Sequence, residues 1–113
     1  MTKTLLLLPG DGIGPEVSAV ARRVAGRLIS QGLALQVEEA LFGGASIDAT
    51  GLPLTPEVLA QARAADAVLM GAVGGPKWAS QPYDKRPEAG LLALRAGMNV
   101  YANLRPARCF SAL

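Results

Sequence analysis

A short segment in the last third of the chain combines arginines, a carboxylate and branched apolar residues at helical spacing. If Pro87 occupies the first helical position, which proline favours, four side chains at i, i+3, i+4 and i+7 share one helix face. These are Glu88, Leu91, Leu92 and Arg95. Arg105 follows on a predicted strand. Since guanidinium groups bind carboxylates and leucines accept alkyl groups, the segment predicts a site for a small branched-alkyl carboxylate.

The same side chains also have ordinary structural interpretations. Arg95, in the last helical turn, could serve only the helix dipole, which is worth ~0.3–1 kcal/mol. Leu91 and Leu92 could belong to the core, and Glu88 could be an acid favoured in the first turn. Judged one residue at a time these interpretations are preferred, whereas the motifs described below favour ligand binding.

A second candidate is the glycine-rich turn Gly10–Gly14, which follows a predicted strand and precedes a helix. A dinucleotide-binding fingerprint needs G-x-G-x-x-G, but position 15 is proline. Glu38 and Glu39 lie near the end of the second strand, where a ribose-binding acid would sit. Free N–H groups at the helix start favour phosphate or carboxylate, while a plain tight turn fits equally well. Asp11 is predicted either to cap the helix or to stabilise the turn.

These residues need strands and helices that position them. Apolar runs closed by turn signals predict strands at Lys3–Pro9 and Asp66–Val73, and partial alternation predicts one at Leu33–Leu41. Asn99–Arg105 is predicted as a fourth strand. A polar loop is expected at 77–85. The order β-α-β-α-β-α-β is typical of an α/β fold, a parallel sheet with right-handed crossovers and helices on both faces.

The predicted helices have recognisable starts and ends. The first begins at Gly14 and ends before Gly32 as its C-cap, and a short one lies around 45–49. The third runs from Pro56 to about Ala64 with Thr55 as N-cap, and the fourth from Pro87 to Ala96 with Gly97 as C-cap. Apolar residues at helical spacing predict the core-facing side of the first helix: Val17, Val20, Ala21, Val24 and Leu28.

Composition limits the class of protein. With 113 residues, half of them apolar, the chain suits one domain with a modest aliphatic core. A net charge of +2 gives no reason to expect nucleic acid, and the arginines of the first helix are read as its solvated side. Cys109 is the single cysteine and there is no histidine, which argues against a disulfide or metal role. The apolar run Leu5–Leu8 is too short for a leader or a membrane span, so we expect a cytoplasmic chain with no membrane partner.

Four motifs, in this order and spacing, resemble the 3-isopropylmalate dehydrogenase family, the leucine-pathway branch of the β-decarboxylating dehydrogenases. They are Leu8–Val17, Gly71–Trp78, Arg86–Arg95 and Tyr101–Pro106. The resemblance implies a two-domain fold of which this chain is the first part. It also implies NAD-dependent oxidation and decarboxylation of 3-isopropylmalate to 4-methyl-2-oxopentanoate, assisted by Mg²⁺ or Mn²⁺, in a homodimer.

The resemblance assigns roles to individual residues. Arg95 and Arg105 correspond to arginines that hold the malate carboxylates, and Leu91 and Leu92 to residues that receive the isopropyl group. Glu88 would meet the nicotinamide side of NAD. Five further residues would lie beside the cofactor: Asp11, Gly12, Ile13, Gly74 and Gly75. NAD is held largely by later segments in this family, in agreement with Pro15 at the fingerprint position.

The match also departs from the family pattern. Ala79 stands where an acidic residue usually follows Lys-Trp, and Ala96 where a basic residue follows the substrate arginine. The family's catalytic tyrosine, lysine base, third arginine and metal-binding aspartates have no counterpart up to Leu113. We therefore expect a single partial domain over 1–113, without the second domain and inactive alone. The alternatives are a non-catalytic carboxylate- or partner-binding module, or part of a related alkylmalate or tartrate dehydrogenase.

Overall fold

Three parallel strands form the centre of the molecule in a computed structural model, which describes residues 1–111. They are β1 (Lys3–Gly10), β2 (Leu35–Glu39) and β3 (Ala67–Ala72), in the order β2-β1-β3. Leu5 of β1 lies opposite Val37 and Ala67 in the register of the two pairs. β1 is the central strand, and this explains why its leucine run is buried on both faces.

Four α-helices cover the sheet: α1 (Gly14–Ser30), α2 (Gly44–Thr50), α3 (Pro56–Ala64) and α4 (Pro87–Gly97). The predicted polar loop contains two short 3₁₀ turns, Pro76–Trp78 and Tyr83–Lys85. The Thr55 side chain caps α3 as predicted, since its Oγ1 accepts a hydrogen bond from Val58 N–H at 3.3 Å. The predicted Gly32 cap is confirmed as well, because Gly32 has φ +101° and Leu33 N–H bonds back to Leu28 O at 3.1 Å.

The core lies on the face of the sheet that α3 and α4 cover. Its buried side chains are Leu6, Leu8, Phe42, Val58, Ala62 and Leu94. Leu7, between Leu6 and Leu8 in the strand, points to the other face, which α1 covers. Helices on both faces of a parallel sheet confirm the predicted α/β class. Within residues 1–111, no helix is both long enough and apolar enough to span a membrane.

The predicted fourth strand is wrong. Although the structure describes 99–105, it assigns no strand there, and Tyr101 and Leu104 are 101% and 87% exposed. A strand exists only where a neighbour completes its hydrogen-bond ladder, and none of the described residues pairs with this segment. Residues 112 and 113 of the predicted domain lie outside the described residues.

The predicted C-cap at Gly97 is also wrong, because α4 includes Gly97. The left-handed residue is Asn99 (φ 56°), whose N–H bonds to Ala96 O at 3.0 Å. Gly97 serves a different purpose. A Cβ at Gly97 would lie 2.6 Å from the Leu59 side chain, so glycine allows α3 and α4 to approach each other.

The predicted core-facing side of α1 is wrong for its large residues. Val17, Val20, Val24 and Leu28 are between 44% and 55% exposed. The residues that α1 buries are small, Gly14, Ser18 and Ala25. They lie about 100° further round the helix, and their small size lets α1 lie close to β1 and β3.

Candidate functional site

Asp11 connects three segments at the carboxyl ends of the strands. It is 4% exposed. Its Oδ2 accepts hydrogen bonds from the backbone N–H groups of Gly44 at 2.8 Å and Gly74 at 2.9 Å, and its Oδ1 accepts one from Ala45 at 2.8 Å. Because the carboxylate satisfies otherwise unpaired N–H groups, it fixes the start of α2 and the loop after β3 relative to β1.

Of the two predicted roles of Asp11, capping of the helix that follows it is wrong, because the carboxylate caps α2 and none of the described side chains caps α1. The predicted role in the turn is met by the backbone carbonyl of Asp11, which accepts from Gly14 N–H at 2.8 Å. The turn also needs glycine at position 10. Gly10 has φ +73°, and a Cβ there would lie 1.9 Å from Ala72 O. Gly12 and Ile13, which the resemblance places beside the cofactor, are exposed in the same turn.

Trp78 joins the loop after β3 to α2. Its Nε1 donates to Asp48 Oδ1 at 3.1 Å, and Lys77 Nζ donates to Asp48 Oδ2 at 2.6 Å. These donors hold the pKa of Asp48 below its ordinary value of 3.8, with Lys77 the larger cause. The indole lies against Gly44, where a Cβ would be 2.3 Å from the ring.

Glu88, at the start of α4, lies beside the loop that Asp11 and Trp78 hold. Its Oε1 would be 2.4 Å from a Cβ placed on Gly74. A cleft of about 370 Å³ opens here, lined by Gly75, Pro76, Trp78, Ala79, Tyr83, Arg86 and Glu88. The structure therefore brings together three residues of the predicted cofactor set, Glu88, Gly74 and Gly75, and Asp11 is attached to them through Gly74 N–H.

The predicted ligand-binding face of α4 is largely exposed. Glu88, Leu92 and Arg95 point to solvent, with Leu92 52% exposed. Leu91 is half-buried and packs against the core cluster. Of the two leucines, Leu92 is therefore the one that is mainly exposed on this face, whereas Leu91 packs on the core.

Arg95 lines a second cleft, of about 330 Å³, with the segment Val100–Leu104. The end of α4 turns this segment back, since Val100 N–H bonds to Arg95 O at 3.4 Å. Arg105 follows and is exposed, with its Nε 3.5 Å from Asn103 Oδ1. Arg95 and Arg105 are thus carried by adjoining segments, and Arg105 lies on a segment without regular secondary structure instead of the predicted strand.

The glutamates considered for ribose binding make other contacts. Glu39 forms an ion pair with Arg22 of α1, and Glu38 accepts from Gln36 Nε2 at 3.1 Å. The Arg22–Glu39 pair borders a separate, largely apolar cleft of about 280 Å³ between α1 and the end of β2. Glu39 therefore holds α1 to the end of β2.

Sequence reasoning missed Asp48, Tyr83 and Arg86. Asp48 carried no signal, because its partners Lys77 and Trp78 are distant in the chain. Arg86 stands in the motif Arg86–Arg95, but no role was predicted for it from the sequence. In the structure it lines the Glu88 cleft, and its Nε donates to Gln81 O at 2.9 Å. Within residues 1–111, no three acidic or cysteine side chains come together as a metal site would require.

Comparison with protein families and curated proteins gives a consistent match. The family model described as isocitrate/isopropylmalate dehydrogenase matches residues 4–113. The chain is 68% identical over 110 residues to the 3-isopropylmalate dehydrogenase of Caulobacter vibrioides, covering 97% of this chain and 31% of that protein. It is 61% identical over 113 residues to that of Nitrobacter winogradskyi, covering 99% and 30%. The chain thus spans about 30% of the length of these relatives.

Two solved structures share the fold. A β-decarboxylating dehydrogenase from Thermococcus kodakarensis is 31% identical with a TM-score of 0.65, over 87% of this chain and 27% of that one. The isocitrate dehydrogenase of Methylococcus capsulatus is 28% identical with a TM-score of 0.60, over 73% and 23%.

Proposed function

This chain belongs to the isocitrate/isopropylmalate dehydrogenase family, and on that premise we propose that α4 and the segment after it recognise substrate in a 3-isopropylmalate dehydrogenase. The reaction is the NAD-dependent oxidative decarboxylation of 3-isopropylmalate to 4-methyl-2-oxopentanoate, a step of leucine biosynthesis. We propose it for the longer protein, in which this chain supplies recognition. One observation carries the proposal: the exposed face of α4 presents Glu88, Leu92 and Arg95 between two clefts.

Arg95 and Arg105 bind the two malate carboxylates in this proposal. Both guanidinium groups are exposed, and neither forms an ion pair among the described residues. Apart from Arg105 Nε, which donates to Asn103 Oδ1 at 3.5 Å, their donors are available for the paired, charge-assisted hydrogen bonds that carboxylates accept.

Leu92, together with the half-buried Leu91, receives the isopropyl group in this proposal. Leu92 lies one turn before Arg95 on the same face, so a ligand whose carboxylate meets Arg95 brings its alkyl group to Leu92. Burying the isopropyl group contributes about 0.8 kcal/mol for each methyl-sized unit. Discrimination between alkylmalates that differ by one methylene is therefore modest, about 1–3 kcal/mol.

Glu88 and the glycine loop form the cofactor side. The Glu88 carboxylate lies against Gly74 at the edge of a cleft with room for a planar ring, and a carboxylate there is attracted to a cationic nicotinamide. NAD, when bound, supplies the hydride acceptor. Asp11 holds the Gly74 end of this loop in place, while the exposed Gly12 and Ile13 stand free to contact the cofactor.

The divalent metal of the family does not fit the described residues, which bring no set of three ligands together. We therefore assign no step to Mg²⁺ or Mn²⁺ here, and its ligands must come from elsewhere in the assembled protein. We further propose that this protein is a homodimer and acts in the cytoplasm.

The experiment replaces the matched part of the Caulobacter vibrioides relative by these 113 residues and follows NADH formation. Arg95→Ala or Arg105→Ala should lower kcat/KM for 3-isopropylmalate and malate alike by about ten- to a hundredfold, since a charge-assisted hydrogen bond is worth roughly 1.5–3 kcal/mol. Leu92→Ala should affect only 3-isopropylmalate, and Arg108→Ala, an exposed arginine outside the site, should change neither.

Three results would count against this assignment. If Leu92→Ala lowered kcat/KM equally for 3-isopropylmalate and malate, Leu92 would not bind the alkyl group. If the chimeric enzyme preferred tartrate, the chain would be part of a related dehydrogenase. Calorimetric binding of 3-isopropylmalate without NADH formation would favour the carboxylate-binding module.

A further inference from the structure

The 74–78 segment lines one side of the Glu88 cleft, and its first residue is attached to α2. Gly74 N–H donates to Asp11 Oδ2 at 2.9 Å, and the same oxygen accepts from Gly44 N–H, at the first residue of α2, at 2.8 Å. One buried carboxylate therefore holds the beginning of the segment against this helix.

The end of the 74–78 segment is attached to α2 as well. Trp78 Nε1 donates to Asp48 Oδ1 at 3.1 Å, and Lys77 Nζ donates to Oδ2 of the same carboxylate at 2.6 Å. Asp48 lies in the second turn of α2, so both ends of the segment are held by the same helix. Of the two donors, Trp78 is the one that lines the cleft.

Two glycines limit where the Trp78 indole can lie. A Cβ on Gly44 would overlap the ring, and a Cβ on Gly75 would lie 3.3 Å from Cζ3. The ring therefore lies close to the backbone of both α2 and the 74–78 segment. The hydrogen bond from Nε1 to Asp48 adds a directional contact, because such bonds weaken steeply away from linear geometry, and it fixes how the ring is turned.

Helix α2 is anchored in the core and is a fixed support for the indole. Ser46, in its first turn, is 0% exposed, and Phe42, two residues before the helix, is a fully buried member of the core cluster. Gly43 N–H also bonds to Pro53 O at 2.9 Å. The position of Trp78 is thereby set relative to the core.

The ion pair that Asp48 forms adds little to folding. The Asp48 and Lys77 side chains are 44% and 66% exposed, and exposed pairs of this kind contribute little to the free energy of unfolding. We therefore expect the loss of Asp48 to change the position of Trp78 more than the stability of the chain.

We propose that Asp48 is a positioning residue for the cofactor side of the site, which acts through Trp78 to set the shape of the Glu88 cleft. An indole that lines the cleft offers apolar contact area to the planar nicotinamide ring, so a displaced Trp78 weakens cofactor binding. The inference rests on the proposed function only for the identity of the ligand, NAD.

The test uses the chimera with the Caulobacter vibrioides relative described above. Asp48→Ala should raise KM for NAD about five- to tenfold and leave kcat within about twofold, since the lost hydrogen bond affects cofactor binding. Asp48→Asn keeps an oxygen that can accept from Trp78 Nε1 and should raise KM for NAD only about two- to threefold. KM for 3-isopropylmalate should change by less than about twofold in both variants.

Asp66→Ala is the matched control. Asp66 accepts from Lys3 Nζ and from Thr4 N–H, each at 2.8 Å, and its side chain is 41% exposed. Its loss therefore removes the same kinds of bonds as the loss of Asp48. Asp66 precedes β3, at the opposite end of the sheet from the cleft, so Asp66→Ala should leave KM for NAD unchanged.

A double substitution tests whether Asp48 acts through the indole. Trp78→Phe removes the Nε1 donor, and in this background Asp48→Ala should raise KM for NAD by less than about twofold. Fully additive effects would show that Asp48 acts independently of Trp78 and would overturn the proposal.

Fluorescence of the 113-residue chain gives a readout that does not depend on turnover. Acrylamide should quench Trp78 emission about twofold more strongly in Asp48→Ala than in wild type or Asp66→Ala, because an indole that has lost one of its contacts opens to solvent more readily. Equal quenching of the three proteins would overturn the proposal.

The chimera separates the positioning role of Asp48 from the proposed function. Turnover with an unchanged KM for NAD in Asp48→Ala would overturn the positioning role and leave the proposed function intact. A chimera that shows no turnover but binds NADH in calorimetry, and binds it more weakly after Asp48→Ala, would support the positioning role and count against the proposed function alone. A chimera that binds no NADH at all would overturn both.

Discussion

Asp11 and Gly74 are 63 residues apart in the chain, yet Asp11 Oδ2 accepts a hydrogen bond from Gly74 N–H at 2.9 Å. The same oxygen accepts from Gly44 N–H, so one buried carboxylate sets the relative positions of three loops. The Glu88 cleft is built on one of these loops. The shape of the proposed cofactor cleft therefore depends on a residue that lies 63 positions before Gly74 in the sequence.

Asp11→Ala should lower the free energy of unfolding by about 3–5 kcal/mol, because three backbone N–H groups lose their acceptor. Asp11→Asn keeps one oxygen and should lose about 1–3 kcal/mol. Urea denaturation followed by circular dichroism measures both. Asp84→Ala, at an exposed aspartate of a 3₁₀ turn, should stay within about 0.5 kcal/mol of wild type, and the same small effect for Asp11→Ala would contradict the role given to Asp11.

Gly44→Ala should displace the Trp78 indole, since its Cβ would lie 2.3 Å from the ring. We expect a loss of about 1–3 kcal/mol from overpacking and a red shift in the emission of this single tryptophan. Gly26→Ala is the matched control in α1, where a Cβ meets nothing within 4 Å. It should stabilise the chain by about 0.5–1 kcal/mol. Unchanged emission and stability in Gly44→Ala would refute the close packing of Trp78.

Tryptophan fluorescence should also report the protonation of Asp48. Because Lys77 and Trp78 lower the folded-state pKa of Asp48, its contribution to stability is complete above the ordinary value of 3.8 and is lost as the pH falls through the lower folded value. Emission should therefore titrate with a midpoint below 3.8. Asp48→Asn should abolish this transition, whereas Asp66→Asn, at the opposite end of the sheet, should retain it. A midpoint at or above the ordinary value would disprove the contact.

Thr55→Ala should lower the free energy of unfolding by about 1 kcal/mol, because Val58 N–H loses its side-chain acceptor at the start of α3. Thr55→Ser retains the hydroxyl and should recover most of that loss. Thermal melts of the three proteins measure the effect. Equal melting temperatures for the alanine and serine variants would mean that the hydroxyl does not cap α3.

Local signals in the sequence predicted most of the fold. The apolar run Lys3–Pro9 predicted the first strand, Thr55-Pro56 predicted the start of α3, and Gly32 predicted the end of α1. Each prediction succeeded because hydrogen bonds within a few residues, or burial of one continuous apolar run, decide these features. The spacing of Glu88, Leu92 and Arg95 predicted their shared face for the same reason.

Predictions that depended on distant partners were less successful. The strand predicted at Asn99–Arg105 does not form, because a strand needs a neighbour's hydrogen-bond ladder. Gly97 is a reasonable cap by type, but its neighbour Leu59 requires glycine there for close packing, and Asn99 takes the left-handed position. For α1, the small residues pack on the sheet and the larger valines are exposed.

The sequence by itself determined the α/β class, the ends of most elements and the residue types of the proposed substrate face, because these depend on local propensity and spacing. Only the tertiary structure decided that Asp11 holds α2 and the Gly74 loop, that Asp48 binds Lys77 and Trp78, and that the large aliphatic residues of α1 are exposed. These relations join residues far apart in the chain, and no local pattern encodes which buried N–H or apolar surface a side chain will meet. The physical reason is that a hydrogen bond or packing contact depends on distance in space, which folding sets for the whole chain at once.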